Sequence, residues 1–253
     1  MADERNRYLR QQAELGGPEV ILTGGDPAMG TKGRVVEAAG AKWRKGAPRI
    51  PGPGLVVESA AVPLVGDPLR GLDTLDAVAE RIRTTYCCDL CPPRTHAVPG
   101  EGNPDADLVL VGEGPGATED QTGRPFVGAA GRLLEEILGA VELRREDVFI
   151  CNVVKCRPPQ NRAPLPDEIA ACIPYLYRQL ALIQPKVILT LGGTAANALL
   201  GVKQALGKLR GKVHTFNGIP LVATYHPAAL LRNPDWKKPT WDDVRIARQL
   251  LER

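Results

Sequence analysis

Residues 107–116 read DLVLVGEGPG: an aspartate, four apolar residues in a row, then a glycine- and proline-rich turn that carries one carboxylate, Glu113. A short unbroken apolar run marks a strand buried on both faces, because a half-exposed strand would alternate apolar with polar residues. Three more such runs follow at residues 148–154, 187–191 and 221–225. Helical spacing fills the intervals at residues 130–141, 166–183 and 194–200, and Pro166, Asp167 and Glu168 suit the first turn of the second of these. Strands alternating with helices predict an α/β fold: three layers, α/β/α, around a central four-stranded, mostly parallel sheet. Residues 216–219, FNGI, read as a hairpin turn just ahead of the fourth strand, and a last helix is expected over residues 241–251.

Outward from this region the composition changes. The first 75 residues hold closely spaced Gly and Pro, as in Pro51-Gly52-Pro53-Gly54, and no cysteine. They predict a partly flexible Gly/Pro-rich N-terminal extension over residues 1–75, with a short helix near residues 2–14, ahead of a catalytic domain at 76–253. The basic cluster KWRKGAPR at residues 42–49 reads as a solvated linker around Trp43 rather than a DNA contact. Residues 74–84 have helical spacing and lead directly into Cys87. Over all 253 residues, 32 Lys and Arg against 29 Asp and Glu leave a net charge of +3, so any nucleic-acid contact must come from a local patch. No apolar stretch approaches a membrane span and the polar N-terminus lacks a signal-peptide core, which predicts a cytoplasmic protein in a reducing compartment.

Sheets of this kind bind ligands beyond the carboxyl ends of their strands, and the polar residues of this chain collect there. Glu113 follows the first strand, Asn152 and then Lys155 to Pro159 the second, Gly192-Gly193-Thr194 the third, and His226-Pro227 the fourth. The turn at 112–116 lacks the Lys-Ser/Thr of a phosphate loop, so it reads either as a site for one carboxylate or as a plain strand-to-helix turn. Asn152 ends a buried run, where its amide needs a partner, a ligand edge or a neighbouring backbone. His226 is one of three histidines, and its place on the rim favours chemistry over packing. Phe126 is one of three Phe; it is a core residue or, between glycines, a platform for a flat ring.

Of six cysteines, Cys88 and Cys91 form a C-x-x-C pair, Cys156 ends the second strand region, and Cys172 lies inside a predicted helix. Thiolates gathered from distant segments in a reducing compartment indicate zinc or an iron–sulfur cluster, and the wide second pair leans towards iron–sulfur. Cys87 and Cys151 read as small core residues, although Cys87 is a possible substitute for Cys88.

The stretch from Cys88 to the C-terminus resembles a family 4 uracil-DNA glycosylase, the iron–sulfur type found in bacteria and archaea. The motifs that carry the resemblance are EGNPDA at 101–106, GEGPG at 112–116, Glu119-Asp120, TGRPFVG at 122–128, NVVKCRPPQNR at 152–162 and HPAALLRNP at 226–234. It implies a monomeric DNA-repair hydrolase that acts on uracil in single- or double-stranded DNA, at the nucleoid, with a [4Fe–4S] cluster held by Cys88, Cys91, Cys156 and Cys172. By the same resemblance Glu113 orients the attacking water, Asn152 reads the base edge, and Phe126 stacks on the ring. Gly114 lines the pocket, Glu119 forms the wall beside ring carbon 5, and His226 hydrogen-bonds the ring oxygen where charge develops. The loop at 230–232, with Leu231 and Arg232, enters the duplex. Lys155, Arg157 and Arg162 are expected to lie on a loop that the cluster pins, where they would meet phosphates. The alternatives are a relative that traps uracil covalently and an iron–sulfur redox protein; the inserted basic loop with its histidine that the first requires is not seen.

Overall fold

Alternation along one strand, β3 (Leu108–Gly112), sets the layering. Val109 and Val111 point into a core shared with helices α4 (Pro166–Ile183) and α5 (Gly193–Leu200). Leu108 and Leu110 point the other way, into a core shared with α3 (Ala129–Ala140) and α8 (Lys237–Leu250). Full burial of each such side chain contributes roughly 1.5–3 kcal/mol. The chain is described here by a computed structural model, covering residues 41–58 and 69–253. The helix expected near residues 2–14 lies outside them.

The four expected strands are β3, β4 (Phe149–Asn152), β5 (Val187–Leu191) and β7 (Ile219–Thr224), and they lie side by side in the order β7-β5-β3-β4, all parallel. The α/β/α class holds, but the described sheet has seven strands rather than four. The additions flank these four: β2 (Glu101–Gly102) against β4 at one edge, and on the other side β6 (Val213–Phe216) against β7, with β1 (Pro53–Val57) against β6 at the far edge. The β6–β7 hairpin turns at Asn217 and Gly218, both at positive φ, as an Asn-Gly two-residue turn requires.

The span read as an N-terminal extension is therefore divided. Beyond residue 40 it supplies β1, tied to β6 by His214: the Leu55 amide donates to Nδ1 at 2.9 Å and Nε2–H donates to the Leu209 carbonyl at 2.7 Å. Nor are residues 42–49 a solvated linker. Trp43 is 2% exposed and packs into the α3/α8 core, with the Arg248 guanidinium 5.0 Å from its ring centre. The basic residues around it hid an anchor whose burial no local periodicity announces.

Helix α1 (Leu75–Thr84) packs Val78 and Ile82 against α4 through Tyr175, and its first turn is capped by Thr74, whose hydroxyl accepts the Ala77 amide. This helix delivers the chain to Cys87. We expect Trp43→Ala to cost about 3–5 kcal/mol in denaturant unfolding, as for a buried indole. A linker residue would cost close to nothing, so the midpoint shift decides between the two descriptions.

Candidate active site and cysteine centre

The carboxyl ends of the four parallel strands open into one cavity of about 540 Å³. Eight of the site residues singled out by sequence line it: Glu113, Gly114, Glu119, Phe126, Asn152 and His226, with Arg162 and Arg232. Strand β3 is followed in sequence by β4 on one side and, later, by β5 on the other, so the crevice between β3 and β5 is the switch point where such sheets bind ligands. Glu113 sits there, and its carboxylate accepts the hydroxyl of Thr194, from the first turn of α5. Thr194 was named on the rim but given no task; only the contact reveals it.

Asn152, the last residue of β4, is 1% exposed, and its side-chain Oδ1 has no hydrogen-bond partner within the protein. A buried, unpaired acceptor costs about 1–3 kcal/mol, so the observation points to a ligand donor rather than to a neighbouring backbone. Gly112 is its register partner on β3. A Cβ at Gly112 would come within 2.3 Å of Asn152 Oδ1 and 2.6 Å of Phe126 Cζ, so only glycine leaves both in place.

Phe126 is buried and sits at φ 51°, in the left-handed region that costs a non-glycine residue about 1–2 kcal/mol. Two networks hold it there. Arg145 donates to the Phe126 carbonyl at 2.9 Å and to the Pro125 carbonyl, and is itself fixed by Glu101. From the other side Glu119 Oε1 accepts the Val127 and Gly128 amides at 2.9 and 2.8 Å. Glu119 thus lines the cavity and also ties down the Phe126 loop at the start of α3, a second duty that the sequence motif did not disclose.

His226 caps helix α7 (Pro227–Arg232): its Nδ1 accepts the Ala228 amide at 3.1 Å. An accepting Nδ1 carries no proton, so the neutral ring presents Nε2–H as its donor. Burial, helped by the Arg232 charge, lowers the His226 pKa to about 4. Its ring centre lies 5.4 Å from that of Phe126 at 32°. The site therefore joins an apolar ring, an unpaired amide oxygen, a neutral N–H donor and a braced carboxylate.

The groups expected to meet DNA are dispersed. Arg232 and Arg162 line the cavity, whereas Leu231 stands outside it, 51% exposed on α7 beside the buried Leu230. Arg162 is engaged: it binds Glu168 at 2.6 and 2.9 Å, and Glu168 also accepts the Leu165 amide to close the first turn of α4. Lys155, expected to face phosphates, is 2% exposed and points inward. Its ammonium donates to the Asn152 carbonyl at 2.8 Å and to Gln179 Oε1 at 2.7 Å. Of the three loop cations, Arg157 is half-buried, its Nε donating to Asn161 Oδ1, and Arg162 is exposed but paired.

Below the other end of that loop, five sulfurs converge. Cys91 Sγ lies 3.6 Å from Cys156, 3.9 Å from Cys87 and 4.0 Å from Cys88, and Cys87 lies 3.9 Å from Cys172. The donor set is all sulfur, the kind that zinc and iron–sulfur clusters take, and the sulfurs of Cys87, Cys88 and Cys91 all lie within 4.8 Å of one another. Cys151 is a buried strand residue as expected, but Cys87 is not a core residue: it is exposed and reaches the cluster of sulfurs. Protons are unevenly shared. Cys172 drops to about 6, chiefly by accepting the Cys87 thiol, while burial pushes Cys88 and Cys156 up to about 12. The Leu90 amide points at Cys88 Sγ and the Cys91 amide closes on the Cys88 carbonyl at 3.0 Å, a C-x-x-C turn built to present Cys88 and Cys91 together. Arg94 donates to Cys156 Sγ at 3.2 Å.

Comparison with known proteins bears on this arrangement. Residues 99–247 match the Uracil DNA glycosylase superfamily. The chain is 47% identical over 192 residues to the type-4 uracil-DNA glycosylase of Saccharolobus solfataricus, covering 71% of this chain and 88% of that one. It is 45% identical over 185 residues to the Thermotoga maritima type-4 enzyme, covering 72% and 96%. The Sulfurisphaera tokodaii type-4 enzyme is 46% identical over 191 residues, covering 71% and 86%.

The geometry of His226 yields a measurable outcome. Its ring nitrogens, followed by NMR, are expected to titrate with a midpoint near 4 rather than the ordinary 6.5. Because the buried form is neutral and the unfolded ring protonates first, native stability falls as pH drops from about 6.5 towards 4 and is unaffected above that window. A midpoint at 6.5 would contradict the desolvation of the ring by burial.

Proposed function

This chain belongs to the uracil-DNA glycosylase superfamily, with the type-4 enzymes, and on that premise we propose that it hydrolyses the N-glycosidic bond of uracil in DNA, single- or double-stranded, releasing the free base and leaving an abasic site. The observation that carries this reading is the unpaired Asn152 Oδ1 at the cavity floor. Uracil offers a ring N–H beside a carbonyl, and one carboxamide meets both: Oδ1 accepts from the N–H while Nδ2 donates to the carbonyl. Among the described residues no helix is long and apolar enough to cross a membrane. We assign a monomer working in the cytoplasm, at the nucleoid.

The bond is out of reach inside a duplex, so the nucleotide turns out into the cavity, at a cost of a few kcal/mol. Leu231, exposed on α7, fills the space the base vacates, with Arg232 beside it and Arg157 on the phosphates. The base slides along Phe126. Gly114 gives it backbone clearance, and Glu119 walls the side of ring carbon 5. As the bond from C1′ to the ring nitrogen breaks, its electron pair leaves with the base as an anion. His226 Nε2–H donates to the ring oxygen where that charge gathers, a type of contact worth about 2.7–4 kcal/mol. A water oxygen bonds to C1′ and its proton passes to Glu113, which Thr194 holds in place. The carboxylate also offsets positive charge on the sugar. The neutral imidazole suits the task, since its Nδ1 is occupied by the Ala228 amide and its one N–H, on Nε2, is left for the ring oxygen.

The sulfur site is assigned to a [4Fe–4S] cluster on Cys88, Cys91, Cys156 and Cys172, with Cys87 the alternative to Cys88. When bound it would supply a cross-link between the loop after α1, helix α4 and the loop after β4, which is a structural office. The chain's own residues reinforce that link. Lys155 spans from the Asn152 carbonyl to Gln179, and Gln179 holds the Pro99 carbonyl at 2.8 Å.

Incubated with a labelled oligonucleotide containing one uracil, the protein should produce alkali-labile cleavage at that position. A denaturant-resistant protein–DNA band would instead mean a covalent trap, and neither signal would end the assignment. His226→Ala and Asn152→Ala should each lose at least tenfold in single-turnover rate while binding DNA with similar affinity. For the cluster, Cys88→Ala is expected to lose bound iron and sulfide, and Cys87→Ala to retain both. The reverse result would transfer the ligand role to Cys87.

A further inference from the structure

Five large hydrophobic side chains among the described residues are exposed, and two of them, Leu231 and Trp236, belong to the short segment that follows His226. Leu231 has a task in the reading above; Trp236 has none. It is 38% exposed and lines the same cavity as Asn152 and His226. Its ring lies against Tyr225, with centres 4.5 Å apart and planes at 14°. The Arg210 guanidinium stands 4.4 Å from the centre of the Tyr225 ring. Arg210 in turn donates to Asp243 Oδ2 at 2.7 Å and to the Pro239 carbonyl at 2.6 Å, and the same Asp243 oxygen accepts the Thr224 hydroxyl at 2.8 Å. Asp243 is 2% exposed.

The ladder thus runs from a buried ion pair through a cation and a tyrosine to an indole at the cavity rim. Its inner rungs are fixed by hydrogen bonds, and Tyr225 is the chain neighbour of both Thr224 and His226. Tyr225 covers one face of the indole, so the exposed area belongs to the remainder of the ring. An aromatic face held rigid at low entropic cost, on the rim of a cavity that takes an extruded nucleotide, matches the chemistry of a nucleobase, which stacks on any such platform whatever its sequence. Alternative occupants fit less well. The adjoining Arg232, exposed and lining the same cavity, favours an anionic polymer over an apolar protein surface, and a flat indole offers no specific donor pattern for a small polar ligand.

Resting on the glycosylase reading, we propose that Trp236 is a stacking site for a base neighbouring the extruded uracil, held in place by Tyr225 and Arg210. The substrate would then be gripped at two rings, one inside the cavity and one at its rim.

The test uses wild type, Trp236→Ala and Trp236→Phe, with single-stranded oligonucleotides carrying one 2′-fluoro-2′-deoxyuridine, which resists cleavage. In a companion set, one nucleotide at a time on either side of the uridine is replaced by an abasic tetrahydrofuran. Wild type should lose roughly tenfold in affinity when one particular neighbour lacks its base, the scale of one lost stacking contact. Trp236→Ala should lose a similar factor on the intact strand and become indifferent to that same abasic position, while Trp236→Phe retains part of both. The inference is overturned if Trp236→Ala binds like wild type, or if it weakens equally on every oligonucleotide. Should Trp236→Ala fail to fold, a wild type indifferent to every abasic position still overturns it. Uracil release from a plain substrate by the same wild-type preparation separates the two levels. Release with a flat abasic scan removes this inference alone, and absence of release removes the glycosylase reading with it.

Discussion

Burial of the parallel strands on both faces is the constraint from which the rest of this structure follows. Along β3, β4, β5 and β7 nearly every side chain is enclosed by one core or the other, so a polar group on a strand interior would be stranded without water. The chemistry is therefore driven to the carboxyl ends, where chain direction and switch point coincide. Glu113, Asn152, the Gly192–Gly193 turn and His226 arrive at one rim because the sheet leaves them no other outlet. The same constraint explains the cost accepted at Asn152, a buried acceptor left open at the one place where a ligand can reach it.

A second layer of the design concerns rigidity. Phe126 occupies a backbone conformation that a free chain would avoid, and both of its flanks are restrained: by Arg145 and Glu101 on one side, by Glu119 on the other. His226 is likewise fixed by a backbone amide and the hydrophobic surroundings that keep it neutral. Groups arranged this way undergo little reorganisation when a substrate arrives, which is where preorganised polar sites gain over water.

Much of this was legible in the chain. The four strands, helix α4 to its end residues, and the convergence of polar groups on one rim follow from apolar runs and helical spacing, because these are properties of consecutive residues. What escaped was everything decided across distance. The edge strands β1 and β2 are held by partners remote in sequence, so their pairing leaves no local pattern. Trp43 looked solvated because its neighbours are charged, although the core beneath it comes from residues a hundred or two hundred positions on. Lys155 looked like a phosphate contact because lysines usually face water; its burial depends on Gln179 in another helix. Thr194 and Arg145 carry no motif at all, and Cys87 was separated from its sulfur neighbours only by reading the C-x-x-C spacing alone.

The bridge made by Lys155 has a further consequence. The strand end that carries Asn152 and the loop that carries Cys156 are four residues apart and share one buried ammonium, so they cannot be ordered independently. Energetically the two are linked: whatever orders the loop that carries Cys156 lowers the entropy still to be lost at the Asn152 strand end, and a disturbance of one passes to the other through the Lys155 bridge. A shift of the loop that carries Cys156 would therefore be felt at the cavity, through a bridge that touches neither a sulfur nor the Asn152 side chain.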